Sequence, residues 1–142
     1  MDIFNSITEP IINFARNLEY VIEIDSTEIF PSDNVRNEVL ESNKSIEYKI
    51  PSLKYELLGF QIIAKNIQVV TEPFHQYNGD INKIKINFPV MKAKNVNVKN
   101  TMLDLSYDDI DLSSTFVIYD SQQDVFSIHI PIFVAAQYLP TS

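Results

Sequence analysis

Phe126-Ser127-Ile128-His129-Ile130-Pro131-Ile132-Phe133-Val134 is the stretch that decides the fold. Phe126, Ile128, Ile130, Ile132 and Val134 fall on every second position, the period of a strand with one face on a core and the other toward water. This is the longest such alternation in the chain, and it predicts a core strand. Pro131 lacks a ladder donor, so an edge or a bulge is expected at that point. With Ser121-Gln122-Gln123 as the preceding loop, the pattern predicts a hairpin in which Ile118 faces Phe126 and Phe116 faces Ile128. Thr115 and His129 would share the other face.

Working outward, the same period recurs in Ile46-Glu47-Tyr48-Lys49-Ile50, in Ile84 to Val90, in Val96 to Val98 and in Leu103 to Tyr107. Asn78-Gly79 predicts a two-residue turn, because both residue types tolerate positive φ and such turns match the twist of their strands. That turn would set Tyr77 opposite Asp80, Glu72 opposite Lys85, Val69 opposite Phe88 and Ile67 opposite Val90. A further hairpin turning at Asn100-Thr101 would pair Val98 with Leu103 and Val96 with Leu105. Successive hairpins without long intervening helices predict a mainly β fold, an antiparallel β-sandwich or partly open barrel, with strands from about 45 onward.

Two helices are expected before those strands. Ile7, Ile11, Phe14 and Leu18 recur at helical spacing, with Pro10 in the first turn, which predicts an amphipathic N-terminal helix over about 8–18. Ser32-Asp33 followed by Val35, Val39 and Leu40 predicts a shorter one over about 33–42. The chain has 142 residues with no composition break, linker or repeat, so one domain spanning 1–142 is expected. Its Met1-Asp2 start, broken by Asn5, Glu9 and Pro10, does not read as a secretory signal. No apolar run approaches the roughly 20 residues of a membrane-spanning helix, so an integral membrane protein is not expected.

Composition narrows the function classes. Nineteen acids against eleven bases give a net charge of -8. A general nucleic-acid binder is therefore not expected, since the phosphate backbone is itself densely negative. The absence of cysteine removes thiolate nucleophiles, disulfides and cysteine-ligated zinc. Two isolated glycines cannot form a phosphate-cradling loop, and no serine stands in a nucleophile-elbow context. His75 and His129 lack any sequence-adjacent carboxylate at metal-ligand spacing, so neither is assigned a catalytic or ligand role. No enzyme activity, catalytic residue, cofactor or metal is expected.

Charge is distributed unevenly. Residues 1–56 sum to -6, residues 57–103 to +4 and residues 104–142 to -6. Lys83, Lys85, Lys92, Lys94 and Lys99 form a basic stretch, and Asp104, Asp108, Asp109 and Asp111 form the densest acid cluster. The acids lack the glycine and terminal glutamate of a calcium-binding EF-hand loop. Alternation instead points Asp109 and Asp111 outward while Ile110 and Leu112 point inward. The lysines read first as protection of a sheet edge against unwanted pairing. Alternatively, basic and acidic surfaces of identical or neighbouring subunits would meet there, so these nine residues are the candidate interaction site.

The expected function is a non-catalytic structural or assembly protein acting through protein–protein contacts. The 20 isoleucines and 13 asparagines fit an AT-rich gene, as in many phages and viruses. A virion component such as a capsid, connector or tail protein is the corresponding expectation, in host cytoplasm or virion. The alternative is a carrier for an apolar ligand or lipid, given the many large side chains. Gly59-Phe60-Gln61-Ile62-Ile63-Ala64-Lys65-Asn66-Ile67 resembles in texture the repeats of β-groove lipid carriers, without a diagnostic motif that would transfer a residue role.

Overall fold

The computed structural model describes residues 18–140. In chain order the elements are β1 (Glu19–Ile24), α1 (Ser26–Ile29), α2 (Asp33–Glu41), β2 (Glu47–Leu57), β3 (Phe60–Val70), β4 (His75–Tyr77) and β5 (Asp80–Asn87). There follow β6 (Val90–Lys99), β7 (Asp104–Asp111), β8 (Phe116–Asp120), β9 (Val125–Pro131) and α3 (Ile132–Ala135). They form two antiparallel sheets, ordered β1-β9-β8-β5-β4 and β2-β3-β6-β7, in a mainly β, sandwich-like arrangement. Both sheets contribute to one apolar cluster that includes Ile62, Val69, Met91 and Val98 from one and Ile86, Val117, Phe126 and Ile128 from the other. The expected N-terminal helix over about 8–18 lies outside the described residues apart from Leu18, which immediately precedes β1.

The helix expected over 33–42 is α2, started by Ser32, whose hydroxyl accepts from the Val35 N–H. Arg36 on α2 reaches Asp124 at 2.8 Å and lies over the Phe126 ring, fastening the helix to the β8–β9 hairpin. Tyr138, after α3, meets Tyr55 of β2 hydroxyl to hydroxyl within the core. Burial pushes the Tyr138 hydroxyl up to about 12 and drives that of Tyr55 further up, so the pair stays neutral.

Proline stands in two of the connections by which the chain leaves one sheet for the other after β1. The run Ile84 to Val90 is not one strand: β5 ends at Asn87, Phe88-Pro89 turns the corner and β6 begins in the second sheet. Pro73 stands in another such corner, between β3 and β4. The register expected around Asn78-Gly79 is accordingly correct at the turn and wrong beyond it. Asn78 and Gly79 both have positive φ, and Tyr77 opposes Asp80. A bulge then shifts the pairing, setting Gln76 against Ile84 and His75 against Lys85. Val69 pairs with Met91 and Ile67 with Ala93, not with Phe88 and Val90. Glu72 does not reach Lys85; its N–H donates to the Asn87 carbonyl.

In the other two expected hairpins it is the loop that is longer than expected. Asn100 to Leu103 form a four-residue loop closed by the Asn100 side-chain oxygen, which accepts from the N–H groups of Met102 and Leu103. Val98 therefore pairs with Leu105 and Val96 with Tyr107, two residues on from the expected register. In the β8–β9 hairpin Asp124 adds a left-handed residue (φ 54°) to the loop. Tyr119 opposes Phe126 and Phe116 opposes His129, a slip of one residue from the expected pairs. β9 ends at Pro131, which enters α3, so Ile132 and Val134 are helical and not part of the strand.

One feature of the four-stranded sheet governs its outer face. Each strand carries two consecutive exposed residues where alternation demands one: Pro51-Ser52, Lys65-Asn66, Lys94-Asn95 and Asp108-Asp109. Pairing lapses along the row Pro51, Asn66, Lys94, Asp109 and resumes beyond it in the same register on all three ladders. Asn66 (φ 52°) and Asp109 (φ 54°) take left-handed conformations there. The result is a crease across the sheet, on either side of which opposite residue parities face the core.

Candidate functional site

The nine candidate residues do not form one surface. Lys83 and Lys85 lie on β5 in the five-stranded sheet, opposite Asp120 and Ile118 of β8. Lys92, Lys94 and Lys99 lie on β6, and Asp104, Asp108, Asp109 and Asp111 on its neighbour β7. The basic and acidic stretches thus meet inside one chain. Lys92 opposes Asp111, Lys99 opposes Asp104 and Asn95 opposes Asp108 across the β6–β7 ladder, and Lys94 Nζ lies 3.4 Å from Asp109 Oδ1.

This arrangement follows from alternation. Outward positions on β6 fall on lysine or asparagine and those on β7 on aspartate or serine, so unlike charges stand opposite and like charges are spaced along each strand. Lys94 and Asp109 are both largely solvated, so their pair contributes only about 0–1 kcal/mol. Asn97 bridges the strands by donating to Asp104 Oδ1 at 2.7 Å and to the Leu105 carbonyl at 2.9 Å. Asp111 is held below the usual carboxylate range by hydrogen bonds from Ser113 and, less strongly, by Lys92.

The crease opens a hollow of about 330 Å³ beside the Lys94–Asp109 pair, lined also by Gln68, Lys92, Ile110 and Asp111. At one end of the same sheet, where β2 turns into β3 and β6 into β7, two hairpin tips stand side by side. They carry Leu58 (65% exposed), Met102 (88%) and Leu103 (41%). Between them lies a second hollow, bordered by Glu56, Phe60, Gln61 and Lys99. Leu58 holds a left-handed conformation (φ 51°) in a turn where asparagine or glycine would be unstrained. The sequence reading missed these tips because a single exposed apolar residue in a loop carries no periodicity. The Leu58-Gly59 dipeptide was the available signal.

Of the histidines, His75 is exposed and opposes Lys85. His129 is buried, with Nδ1 2.7 Å from Glu19 Oε1 and its ring stacked on Phe116 at 4.7 Å between centroids. Glu19 is 110 positions away in sequence and reaches His129 because β1 pairs with β9. Among the described residues, no group of three or more histidine and carboxylate side chains converges as a metal site. No described helix is long and apolar enough to cross a membrane.

The fold and its surface define a sandwich-like protein with two antiparallel sheets, a creased outer face of paired charges and two apolar hairpin tips. No known protein family, curated protein or solved structure matches the chain.

Proposed function

We propose that this chain is a non-catalytic assembly protein that acts through contacts with identical or neighbouring subunits. The observation that carries the reading is the pair of hairpin tips. Leu58, Met102 and Leu103 contribute nothing to the core, and Leu58 sits in a backbone conformation that its side chain disfavours. An exposed side chain held at such a conformational cost is explained by a contact outside the monomer. The AT-rich composition supports a phage or virus particle as the setting, with the chain in host cytoplasm or virion. The carrier reading has less support, since the large side chains Tyr138, Phe88 and Phe126 pack within the core and the hollows described are open to the surface.

Native mass measurement of the wild type beside a Leu58→Asn, Met102→Ser double variant tests the proposal. A defined multimer, lost or weakened at least ten-fold in the variant, is the expected result. The same Leu58→Asn change should stabilise the monomer by about 1 kcal/mol, because asparagine tolerates left-handed φ better than leucine. A monomer carrying a co-purified lipid mass, or a multimer indifferent to both substitutions, overturns it.

A further inference from the structure

The four-stranded sheet ends in two unlike edges. β2 pairs only with β3 and β7 only with β6, so each leaves one side of its backbone without a neighbouring strand. On the outer face, β2 carries Lys49 and Lys54, and β7 carries Asp104, Asp108 and Asp111. None of these five takes part in an ion pair among the described residues. On the core side of β7, Leu105 and Tyr107 stay half-buried where no strand follows to cover them.

The backbone groups left over at the two edges match. The core-side residues Ile46 and Leu112, just outside β2 and β7, bond inward: the Ile46 carbonyl accepts from the Thr71 N–H at 2.9 Å, and the Leu112 N–H donates to the Met91 carbonyl. Antiparallel bonding alternates along a strand, so the outer-face residues Lys49 and Asp111 turn their N–H and C=O toward the free edges. The Asp111 carbonyl already accepts from Gln137 at 2.8 Å and keeps a second lone pair.

We propose that β7 of one copy pairs antiparallel with β2 of a second copy, head to tail, in the register that carries the crease across the junction. This deepens the assembly reading and rests on it. The row Pro51, Asn66, Lys94, Asp109 continues only where Asp109 meets Pro51 of the next copy. Pro51, which would interrupt an added ladder elsewhere, then falls where every ladder lapses. In that register Asp111 opposes Lys49 on the outer face, and Ile110 and Tyr107 meet Ile50 and Leu53 on the core side. Asp104 meets Glu56 but stands diagonal to Lys54. Past the strand ends the same register sets Met102 opposite Leu58, so side chains that the monomer leaves 88% and 65% exposed cover each other.

Charge selects this arrangement over a two-fold one. With the crease aligned, two β2 edges set Lys49 against Lys54 and Glu47 against Glu56, and two β7 edges set Asp108 against Asp109; each is a pair of like charges. A head-to-tail junction leaves one free β2 and one free β7, so copies add until a ring closes.

Ser52 and Asp108 oppose each other across the junction, whereas within one chain they lie three strand spacings apart, about 14 Å, too far for a disulfide. The chain has no cysteine, so substitutions report contact without background. Full-length Ser52→Cys and Asp108→Cys chains, mixed under mild oxidation, are expected to form the mixed disulfide dimer at least ten-fold faster than either forms its own. A mixed dimer that forms no faster overturns the proposal. Native mass of the wild type separates this failure from that of the assembly reading. A multimer weakened by Leu58→Asn and Met102→Ser, without preference for the mixed disulfide, overturns the strand junction alone; a monomer overturns both. Should a cysteine chain fail to fold, a Lys49→Glu, Lys54→Glu variant reads the same junction. It is expected to weaken the multimer at least ten-fold, and an unchanged multimer overturns the proposal.

Discussion

Pro51 and Asn66 face each other between the Ile50–Ile67 and Ser52–Lys65 pairs of the β2–β3 hairpin, and neither takes part in the ladder. Pro51 has no N–H to offer, so its place in mid-strand costs no hydrogen bond where the ladder lapses. Asn66 supplies the left-handed turn of the backbone that lets the strand skip one residue and resume in register. The pair lets an eleven-residue strand such as β2 keep Ile50 and Leu53, three positions apart, on the same buried face.

Asn66→Val should therefore destabilise the fold by about 1–2 kcal/mol, the penalty for a side chain forced into the left-handed region. Asn66→Gly should be neutral or nearly so, because glycine enters that region freely. Urea denaturation of both variants checks this, and equal loss in the two would show that the Asn66 side chain, not its backbone, matters.

Gly79 gives a cleaner measure of the same effect. It holds φ 72°, and a Cβ added there would meet nothing within 4 Å. The cost of Gly79→Val is then conformational alone, about 1–2 kcal/mol, while Gly79→Asn should lose appreciably less. Thermal or urea unfolding separates the two. A loss much above this range would mean that β4, only three residues long, melts with the turn.

The sequence made some elements legible and hid others for identifiable reasons. α2 and the Asn78-Gly79 turn announce themselves through local chemistry, a Ser32 cap and a dipeptide suited to positive φ, and both are found. Hairpin registers failed where an aspartate or asparagine lengthened the loop. Asp124 in a left-handed conformation slipped β8 against β9 by one, and Asn100 capping Met102 and Leu103 slipped β6 against β7 by two. The second half of β2 was hidden by the crease, since Leu53, Tyr55 and Leu57 resume the alternation in the opposite parity after Pro51-Ser52. β1 was overlooked although Tyr20, Ile22 and Ile24 alternate, because an isolated strand beside a helical pattern has no sequence neighbour with which to form a hairpin; its partner β9 lies at the far end of the chain. The candidate lysines and aspartates were found as residues, but their meeting across β6–β7 follows from a loop whose length the sequence did not disclose.

Asp111 makes a pH-dependent contribution of known sign. Hydrogen bonds from Ser113, with help from Lys92, hold its carboxyl below its ordinary value. A carboxyl lowered on folding stabilises the fold above its unfolded value and loses that contribution as pH falls through the folded one. Asp111→Asn should accordingly cost stability at pH 7 and make no difference well below pH 3. Urea midpoints of wild type and variant across that range should converge on acidification; parallel curves would remove Asp111 from the account.

The β6–β7 charges can be tested for where their complementarity is spent. Lys94 meets Asp109 at 3.4 Å, and Lys92 opposes Asp111 within one chain. Reversing both lysines in a Lys92→Glu, Lys94→Glu variant places like charges across a ladder, with a loss on the order of 1 kcal/mol in monomer stability. Adding Asp109→Lys and Asp111→Lys restores unlike pairs in reverse order, and stability should recover except for whatever the Ser113 hydrogen bonds to Asp111 supplied. Both effects should shrink in high salt, since these side chains are solvated and the Debye length falls to about 3 Å at 1 M, comparable to the separation of the pair. Assembly gives the contrasting readout. If these charges act only within the chain, the fourfold variant assembles as well as the wild type. Loss of the multimer in a fourfold variant whose monomer is fully stable would show instead that a neighbouring subunit reads the same charges.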